Sequence, residues 1–376
     1  MNAQPLQRLC IVTPAHSSLV TGGSEYQIDC LLGTLIPLQR YEIYYLTSMV
    51  SGYPHIDAYR IVRIGQARAP RFGYLTYAVP LYRALLRLRP DVIYQRVACG
   101  YSGVAAYYAR RHGARFVWHV AHDSDVLPEG SLDGRNPVRR YLEKRSVEYA
   151  IKRASRIVTQ TAHQAHLLQR HYQRTAAAII PNFQPPPQER PDKSGPLTVV
   201  WVASLKPWKQ PEAFLRLASA LSDLPEVRFL MAGPLAAAAE RTWMQSLRRR
   251  MQATPNVEYL GALSQREVNE LLARAHVFVN TSLHEGFPNT FIQAWARDTA
   301  VVSLHVDPDG LLEQDGVGVF CHGSEQQLIE AVRALVTNSA RRVAYAGRGR
   351  RHAEAKHSLA NAAALARLLD VDGAAA

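Results

Sequence analysis

At 376 residues, 47% of them apolar, the chain is long enough for two ordinary α/β domains. Its 44 Lys and Arg against 31 Asp and Glu leave a formal charge of +13, which fits nucleic acid, an anionic membrane or phosphorylated small molecules as partners. No helix-turn-helix, zinc-finger or RNA-binding signature occurs and the basic residues are spread through predicted helices, so no nucleic-acid partner is expected.

No apolar run approaches the ~18 residues of a membrane span, and no signal pattern opens the chain. The expectation is a cytoplasmic protein, with peripheral attachment to the inner membrane face left open. Cys10, Cys30, Cys99 and Cys321 have no metal or redox spacing and are read as reduced thiols.

In chain order, Leu9–Thr13 reads as a buried strand, followed by Gly22-Gly23-Ser24-Glu25 and a helix from Tyr26 to Leu38 with Ile28, Leu31, Leu32 and Leu35 on one face. A glycine pair between strand and helix lets backbone N–H groups approach a ligand closely, although the full dinucleotide fingerprint is missing. Tyr41–Thr47 and Tyr59–Ile64 read as strands. Residues 70–88, rich in Arg and aromatics (Arg71, Phe72, Tyr74, Tyr77, Tyr82, Arg83, Arg87), read as a loop and then an amphipathic helix. Such a segment suits a membrane surface or a lipid-linked acceptor, and equally an ordinary helix with snorkelling Arg.

Asp91–Arg96 is a strand and Tyr101–Arg111 a helix. Arg115–His119 is a strand that runs into a loop carrying His122, Asp123 and Asp125. At the carboxyl end of a parallel strand these side chains face the ligand crevice. Shared metal ligation by His119 and His122 is disfavoured, because residues three apart on a strand point to opposite faces. Asn136-Pro137 supplies N-cap and N1 of a basic helix reaching Arg153, a candidate for anionic lipid. Arg156–Thr161 and the stretch from Ala178 to Asn182 read as strands. Residues 184–196 hold five Pro and no apolar period and mark the one convincing boundary.

The second half restarts the βα pattern. Leu197–Ala203 is a strand, followed by a loop with Ser204, Lys206 and Lys209 and a helix from Glu212 to Leu221. Next come a strand ending in Gly233, a helix to Met251, the strand Val257–Gly261 and a helix from Arg266 to Ala275. Val277-Phe278-Val279 is a short buried strand. Thr281–Pro288 is a turn containing Glu285 and Gly286, and a helix follows from Asn289 with Phe291, Ala294 and Trp295 at i, i+3, i+4. A helix start suits an anion, and a carboxylate beside it suits hydroxyls, as on a sugar. The same pattern is equally compatible with a solvated Glu on an ordinary loop. Further strands are read at 301–304 and 316–320, and helices at 324–337, 340–356 and 361–369.

The stretch around Glu285-Gly286-Phe287-Pro288 resembles the signature of retaining family-four glycosyltransferases, in which a second Glu follows the first by eight residues; Gln293 stands there in this chain. The resemblance covers roughly residues 9 to 355. It implies a GT-B fold, an α/β architecture of two Rossmann-like domains facing an inter-domain cleft. The expected units are an acceptor-side domain over 1–183, a linker over 184–196, a nucleotide-sugar domain over 197–356 and a terminal helix over 357–376 that crosses back.

By the same resemblance Glu285 meets the donor sugar and Gln293 the ribose. Lys209 matches the family Lys that holds the pyrophosphate; Ser204 occupies the place of its Arg, and Lys206 is assigned the missing charge. Gly22 and Gly23 match a Gly-Gly-x-Glu element near the phosphates and the acceptor. Gly233, Leu260, Gly286, Phe287, Pro288, Asn289 and Thr290 are donor-binding candidates. A His at the strand end, His119 or His122, with Asp123, lies near the reacting sugar.

The implied activity is transfer with retention from a uridine or guanosine diphosphate sugar to a lipid-linked or polysaccharide precursor. The nucleotide sugar is a co-substrate, and neither cofactor nor metal is expected. The rival readings are a nucleotide-sugar epimerase or phosphorylase on the same fold, and a non-catalytic membrane- or partner-binding relative.

Overall fold

The computed structural model describes residues 6–19, 22–49, 56–65, 74–128, 137–188, 191–235 and 241–371. Arg71, Phe72 and Asn136 lie outside the described residues. The chain divides into two compact units, one comprising 1–183 with 359–376 and the other 184–358.

The first unit is a seven-stranded sheet, parallel at every pairing. Its elements are β1 (Gln7–Ala15), α1 (Gly23–Leu38), β2 (Tyr41–Met49), β3 (Arg60–Arg63), α2 (Ala78–Leu88), β4 (Val92–Gln95), α3 (Gly100–His112), β5 (Arg115–His119), α4 (Pro137–Arg153), β6 (Arg156–Thr159), α5 (Ala162–Tyr172) and β7 (Ala178–Ile179). The strand order is β3-β2-β1-β4-β5-β6-β7. Alternate residues of β1 take opposite sides, as a strand's period of two requires. Cys10 and Val12 face α2, α3, α4 and α5, while Leu9 and Ile11 face α1.

The second unit is a six-stranded parallel sheet in the order β10-β9-β8-β11-β12-β13. It contains β8 (Thr198–Val202), α6 (Pro211–Ala220), β9 (Arg228–Ala232), α7 (Arg241–Gln252), β10 (Val257–Tyr259), α8 (Gln265–Arg274), β11 (Val277–Asn280), α9 (Asn289–Trp295), β12 (Ala300–Ser303), α10 (Leu311–Gln314), β13 (Val319–Phe320), α11 (Glu325–Thr337) and α12 (Ser339–Lys356). Phe278 sits between Val200 and Val301 in register, so β11 is apolar on both faces and central. The last helix, α13 (Leu359–Leu369), packs on α1 in the first unit through Ala362, Leu365 and Leu369.

Three elements differ from the sequence reading: α10 (Leu311–Gln314), where no helix was read, and the two that follow. The segment 162–172, read as no element, is the helix α5; Leu167 and Leu168, with Tyr172 partly buried, anchor it, and its start is fixed by the Thr161 hydroxyl accepting from the Gln164 N–H. The strand read at 316–320 pairs only at Val319 and Phe320. Among the described residues, no helix is long and apolar enough to cross a membrane.

In both sheets the chain reverses direction of winding once, between β1 and β4 and between β8 and β11. At such a switch point the two flanking loops diverge and leave a crevice outside the carboxyl ends of the strands, where α/β sheets bind ligands.

Candidate active site

In the second unit the loops after β8 and β11 meet at the switch point. The Thr281 hydroxyl accepts from the Trp201 indole N–H (2.8 Å) and donates to the Lys209 carbonyl (2.6 Å), and the Leu283 N–H donates to the Trp208 carbonyl (2.8 Å). Three bonds between segments about 75 residues apart fix where each loop puts its charged side chain. The outcome is an ion pair between the Lys209 ammonium and the Glu285 carboxylate, each side chain less than one-fifth exposed. Lys206, assigned the phosphate charge, instead holds its ammonium 4.8 Å from the centre of the Trp208 ring, a cation–π contact. Gln210, at φ 47°, occupies the left-handed region at the start of α6, and its amide oxygen bonds His305 Nε2 (2.9 Å).

Downstream of Glu285, Pro288 is the N-cap of α9 and makes no side-chain cap. Glu285, Gly286, Asn289 and Thr290 are half-buried around it. Two of the candidate residues have partners inside the unit. Phe287 is buried, its ring 4.7 Å from the His357 ring and 6.3 Å from Trp295. Gln293 is buried and its amide donates to Asn269 Oδ1 of α8 (3.0 Å).

Gly233 ends β9 with φ 150°, and a Cβ there would lie 1.8 Å from the Ala203 carbonyl oxygen, so only glycine lets the two strand ends close up. Its N–H donates to Gly261 O and its carbonyl accepts from the Tyr259 hydroxyl, each at 2.8 Å. Leu260 donates its N–H to Met231 and packs partly into the core. Both residues build the wall of the site by backbone geometry.

In the first unit the polar residues gather at the carboxyl edge. His119 is the last residue of β5. It has no exposed surface and its ring nitrogens lie against the Tyr94 hydroxyl (3.0 Å) and Arg96 Nη1 (2.9 Å). Burial, then the Arg96 charge, holds its pKa well below the usual histidine range. His122, the other candidate, is half-buried; it opens a short 3-10 turn (Asp123–Val126) and accepts from the Ser124 N–H at Nδ1. Asp123 in that turn accepts from the Gln164 amide (3.0 Å). Asp125 accepts N–H bonds from Ala121 and His122, and burial raises its pKa to about 6.

Gly22 is the N-cap of α1 with φ −94°, an ordinary extended conformation, and Gly23 is the first residue of the helix.

Two residues escaped the sequence reading. Arg96, just beyond β4, is buried with one guanidinium nitrogen on His119 and another on Asn182, and its Nε has no partner among the described residues. His16, just beyond β1, is buried between the Ser18 and Tyr59 hydroxyls (2.9 Å each). The signal available for both was position alone: each is the first polar residue past the carboxyl end of a strand flanking the switch point. Among the described residues, no three His, Cys, Asp or Glu side chains form a cluster able to hold a metal ion.

Comparison with known proteins places this geometry in a family. A sequence model described as "Glycosyltransferase Family 4" matches residues 21–184, and one described as "Glycosyl transferases group 1" matches residues 196–338. One of the subunits of the human phosphatidylinositol N-acetylglucosaminyltransferase is 24% identical over 265 residues, 69% of this chain and 54% of the human one. The gpi3 subunit of the same-named transferase from Schizosaccharomyces pombe is 23% identical over 163 residues, 43% of this chain and 35% of its own. The chain thus spans about half, or less, of the length of these curated relatives.

Among solved structures, sucrose-phosphate synthase of Thermosynechococcus elongatus superimposes with a TM-score of 0.77 at 16% identity, covering 96% of this chain and 98% of the other. Anabaena HepE with UDP and glucose gives 0.75 at 16% identity, over 96% and 98%. WaaG, a glycosyltransferase of lipopolysaccharide biosynthesis, gives 0.76 at 16% identity, over 96% and 100%. With family models on both halves and this fold throughout, the chain belongs to the group 1, family-four glycosyltransferases and has their GT-B fold of two Rossmann-like domains.

Proposed function

We propose that the chain transfers a sugar from a uridine or guanosine diphosphate sugar to a hydroxyl of a lipid-linked acceptor, with retention at the anomeric carbon and without a metal ion. The observation that carries this reading is the Glu285–Lys209 pair at the β8/β11 switch point. A carboxylate there accepts hydrogen bonds from sugar hydroxyls. The ammonium has three donors, so Lys209 keeps one on Glu285 and turns the others to the donor diphosphate. Lys206, released from Trp208, and the backbone around Gly286 to Thr290 complete the neutralisation of the leaving group. Gln293 exchanges its bond to Asn269 for a ribose hydroxyl.

The bond from the anomeric carbon to the diphosphate oxygen breaks as the acceptor oxygen attacks from the same face. The acceptor proton passes to the departing phosphate oxygen, giving the nucleoside diphosphate and the glycoside without a protein nucleophile. Two neighbours support the chemistry: HepE structures hold UDP with glucose and UDP-glucose, and the human relative is named for phosphatidylinositol and N-acetylglucosamine. A net charge of +13 suits a protein working beside anionic lipid at the inner membrane face.

The test is a panel of uridine and guanosine diphosphate sugars with a short-chain lipid-linked acceptor, followed by NMR of the product with and without a chelator. The reading expects one donor consumed only when acceptor is present, the donor's anomeric configuration in the product, and no effect of the chelator. Inverted product, chelator-abolished turnover, or isomerised donor in the absence of acceptor would contradict it.

A further inference from the structure

The two faces of the first-unit sheet differ in charge far more than the overall composition suggests. Helices α2, α3 and α4 carry ten Arg and Lys against two Glu, a surplus of eight out of the chain's +13. The helices on the opposite face, α1 and α13, carry Glu25, Asp29 and Arg367. Both Glu of the basic face are already paired within α4, Glu143 with Arg139 and Glu148 with Arg145. Arg83, Arg87 and Arg140 are exposed.

The same face carries an apolar groove of 640 Å³, lined along α2 by Val79, Tyr82 and Leu86, along α3 by Val104 and Tyr107, and along α4 by Tyr149. Its floor is low because α3 and α4 touch at Gly103, where a Cβ would lie 2.2 Å from the Ser146 hydroxyl oxygen. Val79 and Tyr107 are more than half exposed, and Val138 and Tyr141 on the first turns of α4 are more than three-fifths exposed. Large apolar and aromatic side chains left in water and rimmed by cations are what an interfacial surface needs: rings and aliphatic chains seat at the headgroup boundary, and cations meet the anionic layer. A phosphate backbone of nucleic acid would use the charge but would leave the groove unfilled.

We propose that the α2–α3–α4 face docks on an anionic lipid bilayer, with the groove seated at the acyl boundary. The topology gives the orientation. All three helices begin at the carboxyl edge of the sheet, so the groove starts beside the edge where His122 and Gly22 lie. A lipid-linked acceptor held in the docked bilayer is then delivered to that edge. This step rests on the lipid-acceptor reading above; the surface itself rests on the charge and the groove.

The experiment is cosedimentation of the full chain with vesicles of phosphatidylcholine alone or mixed with phosphatidylglycerol, alongside UDP binding in solution. Wild type is expected on the acidic vesicles only. Removing a surface cation costs about fivefold in partitioning at low salt, so R83Q/R87Q is expected to bind about twenty-fivefold more weakly. L86Q/Y107S is expected to lose the binding that survives high salt. UDP affinity and thermal melting are expected to stay at the wild-type values in both variants.

Four results would overturn the proposal: equal binding to neutral vesicles; no vesicle binding with UDP binding intact; a self-associated chain dispersed by L86Q/Y107S; or polyribonucleotide displacing the vesicles. Vesicle binding without UDP binding would support the docking face and remove the uridine form of the donor reading.

Discussion

Lys209 and Glu285, 76 positions apart in sequence, form an ion pair at the carboxyl ends of two neighbouring parallel strands. Neither loop creates the pair alone; Thr281 and Leu283 tie the second loop to the backbone of the first. If the pair holds donor sugar and leaving phosphate together, each member has its own kinetic signature. Lys209→Met is expected to lower kcat by about 10²–10³-fold, the usual cost of losing one preorganised charge on a developing oxyanion. Steady-state rates with a saturating nucleotide sugar check this, and a kcat within threefold of wild type (roughly RT of barrier) would remove Lys209 from the chemistry.

Gly233 is a structural requirement of the same site. Gly233→Ala places a methyl group on the Ala203 carbonyl and forces a left-handed conformation on an L-residue, together worth about 3 kcal/mol. Urea unfolding is expected to show that loss. An alanine variant of wild-type stability would mean that the β8 and β9 ends can part without cost.

Lys193 gives a pH signature. Its ammonium is buried, donates to the carbonyls of Leu272 and Ala275 and to the Thr299 hydroxyl, and has no carboxylate bonded to it among the described residues; burial lowers its pKa to about 7 from an ordinary 10.5. The unfolded chain therefore binds more protons at this position between those two values, so this group makes stability rise with pH across that window, with no contribution to the slope below it. The difference in urea midpoint between wild type and Lys193→Met, measured at about pH 6 and about pH 9, is expected to shift toward wild type at the higher value. A difference independent of pH would show that the ammonium is not desolvated.

His119 is expected to stay neutral. Burial and the neighbouring Arg96 both oppose protonation, so its ring resonances should not titrate in the ordinary histidine range. A midpoint inside that range would return His119 to the candidates for a reacting group.

What the residues alone revealed, and what they hid, follows from range. β11 was readable at Val277–Val279 because three consecutive apolar residues with β-branched ends suit a central parallel strand, and α9 because Phe291, Ala294 and Trp295 recur at helical spacing. The α5 helix was invisible because His and Gln fill five of its eleven positions, which leaves no apolar period. The choice between His119 and His122 could not be made locally. Tyr94 of β4 and Arg96 just beyond it enclose His119, and Asn182 from beyond β7 holds Arg96, contacts that no local pattern shows. The same holds for Gln293, whose partner Asn269 sits on a different helix, and for Lys206, whose cation finds a ring two residues on.

The account stands most directly on Glu285. Donor turnover by Glu285→Gln, measured with UDP affinity on the same preparation, separates orientation of the sugar from grip on the nucleotide. The predicted result is a fall in kcat/KM of about a hundredfold or more with UDP binding within about twofold of wild type. Wild-type turnover in that variant, with folding and UDP binding intact, would contradict it.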